Sequence, residues 1–152
     1  MAIDIADPRL DAAKQFGAGV LVNNQRDDAV ERIHELTGGL GADTAIEAVG
    51  VPESFELCTN FVRPGGVVAN VGVHGRPATL HLEDLWIKGI TVTTGLVDTS
   101  STPTLLKLIR SGQLHVGGFV THRCLMDEFL EAYDTFSRAG ETGALKVVLT
   151  RS

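Results

Sequence analysis

The first residues able to do chemistry stand at the start of the chain. Met1-Ala2-Ile3-Asp4-Ile5 is an apolar run carrying one carboxylate near its end, and Asp7-Pro8 follows at once as a helix start, with Asp7 able to cap and Pro8 suited to the first helical position. An acid at the tip of a strand that enters a helix can accept both hydroxyls of a ribose and repels a phosphate on the same sugar, which is how the second strand of a dinucleotide-binding fold reads. In such a fold a first strand and a G-x-G-x-x-G turn come about 20 residues earlier. No residue of this sequence precedes Met1. The expectation is a nucleotide site of which one part is absent.

The other reactive residue types form no constellation. Five histidines, at 34, 74, 81, 115 and 122, include no H-E-x-x-H and no His/Cys pair at ligand spacing, and no Ser or Cys nucleophile has an evident base. His74 reads as a loop residue, and no histidine is expected to bind metal. Cys58 and Cys124 lie far apart and read as small buried hydrophobes. Gly38-Gly39-Leu40-Gly41 follows a helix and precedes a strand, the reverse of what a helix N-terminus needs to face a phosphate, so it is a helix stop. Thirteen Lys+Arg against nineteen Asp+Glu leave a formal charge of −6 with no basic run, which argues against nucleic acid as a partner. No apolar stretch approaches the ~18 residues that cross a bilayer, and no basic segment opens the chain, so a soluble cytoplasmic protein is expected.

The elements that must position these residues alternate. A helix carrying Leu10, Ala13 and Phe16 on one face stops at Gly17; Gly19 to Val22 is a short strand; Val30, Ile33 and Leu36 recur at helical spacing. Asp43 to Gly50 reads as a strand and Pro52 to Val62 as a helix ended by Arg63-Pro64-Gly65-Gly66. Val67 to Val73 is a continuous apolar strand of the kind buried on both faces. Strand and helix in turn predict an α/β fold with a parallel sheet covered on both sides. Past residue 75 the register changes: a helical patch at Leu82 to Ile87, a β-rich run from Ile90 to Leu96, a polar loop at Asp98 to Thr102, a helix from Thr104 to Ser111, an extended piece from Phe119 to Arg123, an amphipathic stretch from Met126 to Ser137 through Phe129, Ala132, Tyr133 and Phe136, and a last strand from Leu145 to Thr150.

Seven pieces in one order carry a resemblance: Ala2 to Leu10, Gly41-Ala42-Asp43, Ile46-Glu47-Ala48-Val49-Gly50, Arg63-Pro64-Gly65-Gly66, Val71-Gly72-Val73-His74-Gly75, Thr121-His122-Arg123 and Thr142 to Val148. Together they resemble the zinc-dependent medium-chain alcohol dehydrogenases, in the secondary-alcohol and sorbitol-type branches, and match the C-terminal part of such an enzyme, a little under half. The resemblance implies a Rossmann-like domain over residues 1–97, without its first strand and Gly-rich turn, and over 98–152 a segment that returns to the catalytic domain. It implies Asp4 on the adenosine ribose and Arg9 along the adenosine. Val49 and Gly50 would pass beneath the adenosine and nicotinamide ribose, Val71, Gly72 and Val73 would line the nicotinamide ring, Thr94, Gly95 and Leu96 would meet its carboxamide, and Lys146 would reach the pyrophosphate. The glycines would let backbone approach a flat ligand, or else serve as permissive turns.

What the family uses for chemistry is not found in these residues. Its zinc ligands, its proton relay and its Gly-rich turn would all precede Met1, so no catalytic residue and no zinc are expected here, and NAD binding is expected to be weak or lost. The expected function is the C-terminal fragment of an NAD-dependent zinc-type alcohol dehydrogenase, acting in its intact form on a small alcohol or ketone and inactive alone. The alternatives are a non-enzymatic dimerising or weak nucleotide-binding remnant, and a zinc-free reductase of the quinone-reductase type, against which Asp4 argues because those enzymes usually take NADPH. The family pairs the strand corresponding to Ile90 to Gly95 across a twofold axis, so a homodimer or larger is expected. With the first strand missing, Met1 to Ile5 and Thr44 to Val49 are expected to pair directly or to take a neighbouring chain.

Overall fold

The computed structural model describes residues 1–95 and 99–151, and the chain forms two compact units, one of residues 1–26 with 100–152 and one of residues 27–99. Both are built from parallel strand pairs joined through helices, and the fold is α/β.

Within the first unit, β1 (Ala2–Asp4) leads into α1 (Asp7–Gln15) and then β2 (Leu21–Asn23), which pairs parallel with β1, Asp4 opposite Asn23. The N-cap of α1 is Ala6, which offers no side-chain cap; Asp7 and Pro8 occupy the first turn. The cap expected of Asp7 is corrected by its partners: its carboxylate accepts from Asn23 Nδ2 at 2.8 Å and from Arg26 Nη2 and Nη1 at 2.7 and 2.8 Å, tying the start of α1 to the end of β2. The C-terminal part of this unit contains α5 (Thr102–Arg110), β6 (Val120–Leu125), a single 3-10 turn (Met126–Glu128), α6 (Phe129–Ser137), α7 (Ala139–Thr142) and β7 (Lys146–Thr150), with β6 parallel to β7. Leu10, Val22, Ala132, Ala139 and Ala144 are its buried apolar residues, and Phe16 stacks face to face on Phe119 with centroids 4.2 Å apart. The apolar face expected on α6 buries only Ala132; Phe129, Tyr133 and Phe136 remain exposed.

The other unit holds α2 (Ala29–Leu36), β3 (Ala42–Glu47), α3 (Pro52–Phe61), β4 (Val62–Asn70), α4 (Leu82–Leu85) and β5 (Thr91–Thr94). Asp28 caps α2, accepting from the backbone N–H of Val30 and Glu31. The three strands form a parallel sheet in the order β3-β4-β5, over a core of Ala29, Ile33, Ala45, Cys58, Phe61, Val62, Val68 and Leu85.

Two expectations about β4 are corrected. Arg63-Pro64-Gly65-Gly66 is no loop between helix and strand: α3 passes into β4 at Val62, and the tetrapeptide bulges out within the strand, where the register steps from Ala42 opposite Val62 to Thr44 opposite Val67. Gly65 takes a φ of 70° there and donates its N–H to Lys88 O at 2.8 Å. At the far end β4 stops at Asn70, and Val73, expected inside the strand, is 85% exposed. Past Asn70 the N–H groups of Val71 and Gly72 both donate to the carbonyl of Glu47, at 2.8 and 3.1 Å.

The pairs β1-β2 and β3-β4-β5 are the neighbours 2-3 and 4-5-6 of the doubly wound order 3-2-1-4-5-6. Of the two alternatives expected for Met1 to Ile5 and Thr44 to Val49, direct pairing or a neighbouring chain, the first is not met, since among the described residues β1 is laddered only to β2 and β3 only to β4.

Candidate functional site

In a parallel sheet every strand ends on the same side, and ligands of open α/β sheets bind outside those carboxyl ends. Glu47, Asn70 and Thr94 are the last residues of β3, β4 and β5, and the ladder sets them side by side, Glu47 opposite Asn70 and Asn70 opposite Thr94. The three stretches assigned to the nucleotide, Val49-Gly50, Val71-Gly72-Val73 and Thr94-Gly95, therefore leave from adjoining strand ends. Leu96 lies outside the described residues.

The first two stretches are packed on each other. Gly50 has a φ of 85°, and a Cβ there would collide with the backbone of Val73; a Cβ at Gly72 would collide with Glu47 Oε2 and with the N–H of Gly50. Both glycines thus serve close approach of backbone to backbone. Around Gly95 nothing lies within 4 Å of where a Cβ would be. Val49 and Val73 are largely exposed, with 68% and 85% of their surface open.

Beneath these loops lies an ionisable group absent from the expected site. Glu47 is 1% exposed, and its Oε1 accepts from Val49 N–H at 2.8 Å, Gly50 N–H at 2.8 Å and Ser54 Oγ at 2.6 Å. Oε2 faces His74 Nε2 at 3.3 Å, and His74 Nε2 also lies 2.9 Å from Asn70 Oδ1. Asn70 Nδ2 donates to Gly72 O at 3.2 Å. Glu47 Oε2 and His74 Nδ1 are the buried side-chain polar atoms without a hydrogen bond among the described residues. Burial pushes the Glu47 carboxyl up, but the hydrogen bonds from Ser54, Gly50 and Val49 and the nearby His74 outweigh it and hold the group below the usual glutamate range. The sequence carried a signal for this, a single acid within the apolar run Ala45-Ile46-Glu47-Ala48-Val49 that leads to Gly50.

In the other unit Asp4 ends β1, half-buried, and its Oδ1 accepts from the N–H groups of Ile5 and Ala6 at 2.7 and 2.9 Å. Those two bonds fix the carboxylate and leave Oδ2 as an acceptor. Arg9 is exposed on the first turn of α1, and Lys146 is exposed at the start of β7; among the described residues no hydrogen bond or ion pair joins Asp4, Arg9 and Lys146.

Metal chemistry has a poor donor set. His81, Glu83 and Asp84 bring ligand atoms within 4.8 Å of one another, but they sit on or beside the short helix α4, and His81 Nδ1 is paired with Glu83 at 2.9 Å. No thiol belongs to that group. Cys58 is buried in α3, where burial and then the Glu47 charge push its thiol up to about 11, so it is no ready thiolate ligand.

A sequence profile of the family described as zinc-binding dehydrogenase matches residues 1–111. An alcohol dehydrogenase of Cupriavidus necator is 32% identical over 98% of this chain, and an L-threonine 3-dehydrogenase of Pyrococcus horikoshii 30% identical over 95%. This chain spans 42% of the length of each. Among solved structures, zinc dependent alcohol dehydrogenase 2 from Streptococcus pneumonia superimposes with a TM-score of 0.93 and 42% identity, over 99% of this chain and 44% of that one. Alcohol dehydrogenase from Thermus sp. ATN1 gives 0.91 and 32%, over 100% and 44%.

Proposed function

Because the chain belongs to the zinc-binding dehydrogenase family, we propose that it is the nucleotide-side, C-terminal portion of an NAD-dependent, zinc-type alcohol dehydrogenase. The observation that carries the reading is the convergence of Val49-Gly50, Val71-Gly72-Val73 and Thr94-Gly95 at the carboxyl ends of three laddered parallel strands. By this reading residues 1–97 descend from the dinucleotide-binding domain and 98–152 from the segment that returns to the catalytic domain. A cytoplasmic setting belongs to the same proposal.

The residues present fit the nucleotide. Asp4, held by two backbone N–H groups, offers Oδ2 to the ribose hydroxyls and repels a 2′-phosphate, which favours NAD over NADP. Arg9 would lie along the adenosine, Val49 and Gly50 beneath the ribose, Val71, Gly72 and Val73 against the nicotinamide, Thr94, Gly95 and Leu96 at its carboxamide, and Lys146 at the pyrophosphate. When bound, NAD supplies the hydride acceptor for an alcohol carbon. Binding is weak, since the 152 residues contain no G-x-G-x-x-G to give the pyrophosphate a row of N–H donors.

The residues do not fit zinc. A catalytic zinc site draws three ligands from thiolate, imidazole and carboxylate donors, and the single described cluster has one histidine already paired to its neighbouring acid. No step through a metal is assigned to this chain. We expect the purified chain to carry less than one equivalent of zinc and to reduce no NAD with secondary alcohols or threonine, measured by metal analysis and nicotinamide absorbance. A full equivalent of tightly held zinc, or chelator-sensitive turnover, would overturn this.

The proposal extends to self-association through Ile90 to Gly95. The outer edge of β5 has no ladder partner among the described residues, and its side chains are exposed.

A further inference from the structure

Glu47 touches no surface, yet it is bonded to both loops of the proposed nucleotide face. Its backbone carbonyl accepts from Val71 and Gly72, and its Oε1 accepts from Val49, Gly50 and Ser54. A single buried residue thus collects four backbone N–H groups from two loops and a hydroxyl from α3. Gly72 has no Cβ where Glu47 Oε2 and Gly50 N–H already stand, so the loops can close only around this carboxylate. A buried charge is costly unless its hydrogen bonds are met, and here the donors that meet them are the loop amides themselves.

We propose that Glu47 is a positioning residue of the nucleotide face, fixing Val49-Gly50 and Val71-Gly72-Val73 in the conformation that receives the cofactor, with Ser54 bonded to Oε1 and His74 facing Oε2 at 3.3 Å. The inference rests on the nucleotide reading above. Glu47 would touch no ligand atom; it acts through the N–H groups it binds. A carboxylate one methylene shorter cannot reach both Val49 and Gly50, whereas an amide of the same length keeps an acceptor at Oε1.

The test compares the full chain with its Glu47→Asp, Glu47→Gln and Ser54→Ala variants by NADH fluorescence titration and by amide hydrogen exchange. For Glu47→Asp the expected result is exchange at Val49 and Gly50 faster by roughly tenfold, the loss of about one charge-assisted hydrogen bond, with NADH affinity down by a similar factor and exchange at Val68 in β4 unchanged. Glu47→Gln recovers most of the affinity, a rescue that a merely structural role in folding would not link to ligand binding. Ser54→Ala, which leaves both loop amides paired, gives a smaller loss of about threefold, and it reads the same coupling if Glu47→Asp does not fold. NADH affinity equal in all the folded variants, or lowered without faster exchange at Val49 and Gly50, overturns the inference while leaving the nucleotide reading intact. Failure of the parent chain to bind NADH overturns that reading and this inference with it.

Discussion

At the scale of single residues, the buried groups Glu47 and Cys58 share one field. Glu47 is ionised inside the unit because its hydrogen bonds outweigh its burial, and its charge in turn helps keep the Cys58 thiol protonated. A thiol pushed up to about 11 has almost no thiolate at neutral pH. Titration with a chromogenic disulfide at pH 8 should therefore show one accessible thiol, that of the half-buried Cys124, and a second released only on denaturation; two thiols reacting at equal rates would contradict it. The same shift has a sign in stability. The unfolded thiol ionises in its usual range while the folded one does not, so the contribution is complete at neutral pH and is lost as pH rises from that range toward about 11. Asp4 was legible as a site candidate because an acid at a strand tip is visible in the pattern. Glu47 was not singled out, because a sequence does not say which acid of a strand points inward until the register is known.

At the scale of elements, the order of strands and helices followed from periodicity, and the boundaries did not. β2 begins at Leu21 rather than at Gly19, and β4 ends at Asn70 rather than at Val73, since strand ends are set by where ladder partners run out. The bulge at Arg63 to Gly66 reads in sequence as a turn because its Pro and Gly have turn chemistry; only pairing with β3 shows that the strand continues on both sides of it. Loop packing at the strand ends gives a discriminating pair of variants. A Cβ at Gly72 meets Glu47 and the Gly50 backbone, whereas at Gly75 it meets nothing within 4 Å. Gly72→Ala should cost roughly 1–3 kcal/mol, as overpacking against backbone does, and Gly75→Ala should stay within about 0.5 kcal/mol of the parent in a denaturant melt. Equal stabilities would show that the two loops do not close on each other.

At the scale of the whole molecule, apolar surface remains open in both units. In one, Leu80, Leu82, Trp86, Ile90 and Val92 border a groove of about 260 Å³ beside the free edge of β5, and Trp86 is 75% exposed. An unpaired strand edge next to apolar side chains favours association, and a second copy offers the same edge. Light scattering should find a dimer, and Val92→Glu together with Trp86→Glu should shift it to monomer; a monodisperse monomer of the parent chain at high concentration would refute pairing through β5. In the other, Phe129, Tyr133 and Phe136 of α6 stay exposed, which an amphipathic pattern cannot foretell because the pattern marks a face without naming what covers it. The central claim, that the chain binds a dinucleotide and that Asp4 makes it NAD-selective, is tested most directly by calorimetric titration of the chain with NADH and NADPH in parallel. The account predicts NADH binding of micromolar strength or weaker and NADPH binding at least about tenfold weaker still, from the repulsion between the Asp4 carboxylate and the 2′-phosphate. Tighter binding of NADPH, or no binding of NADH, would contradict it.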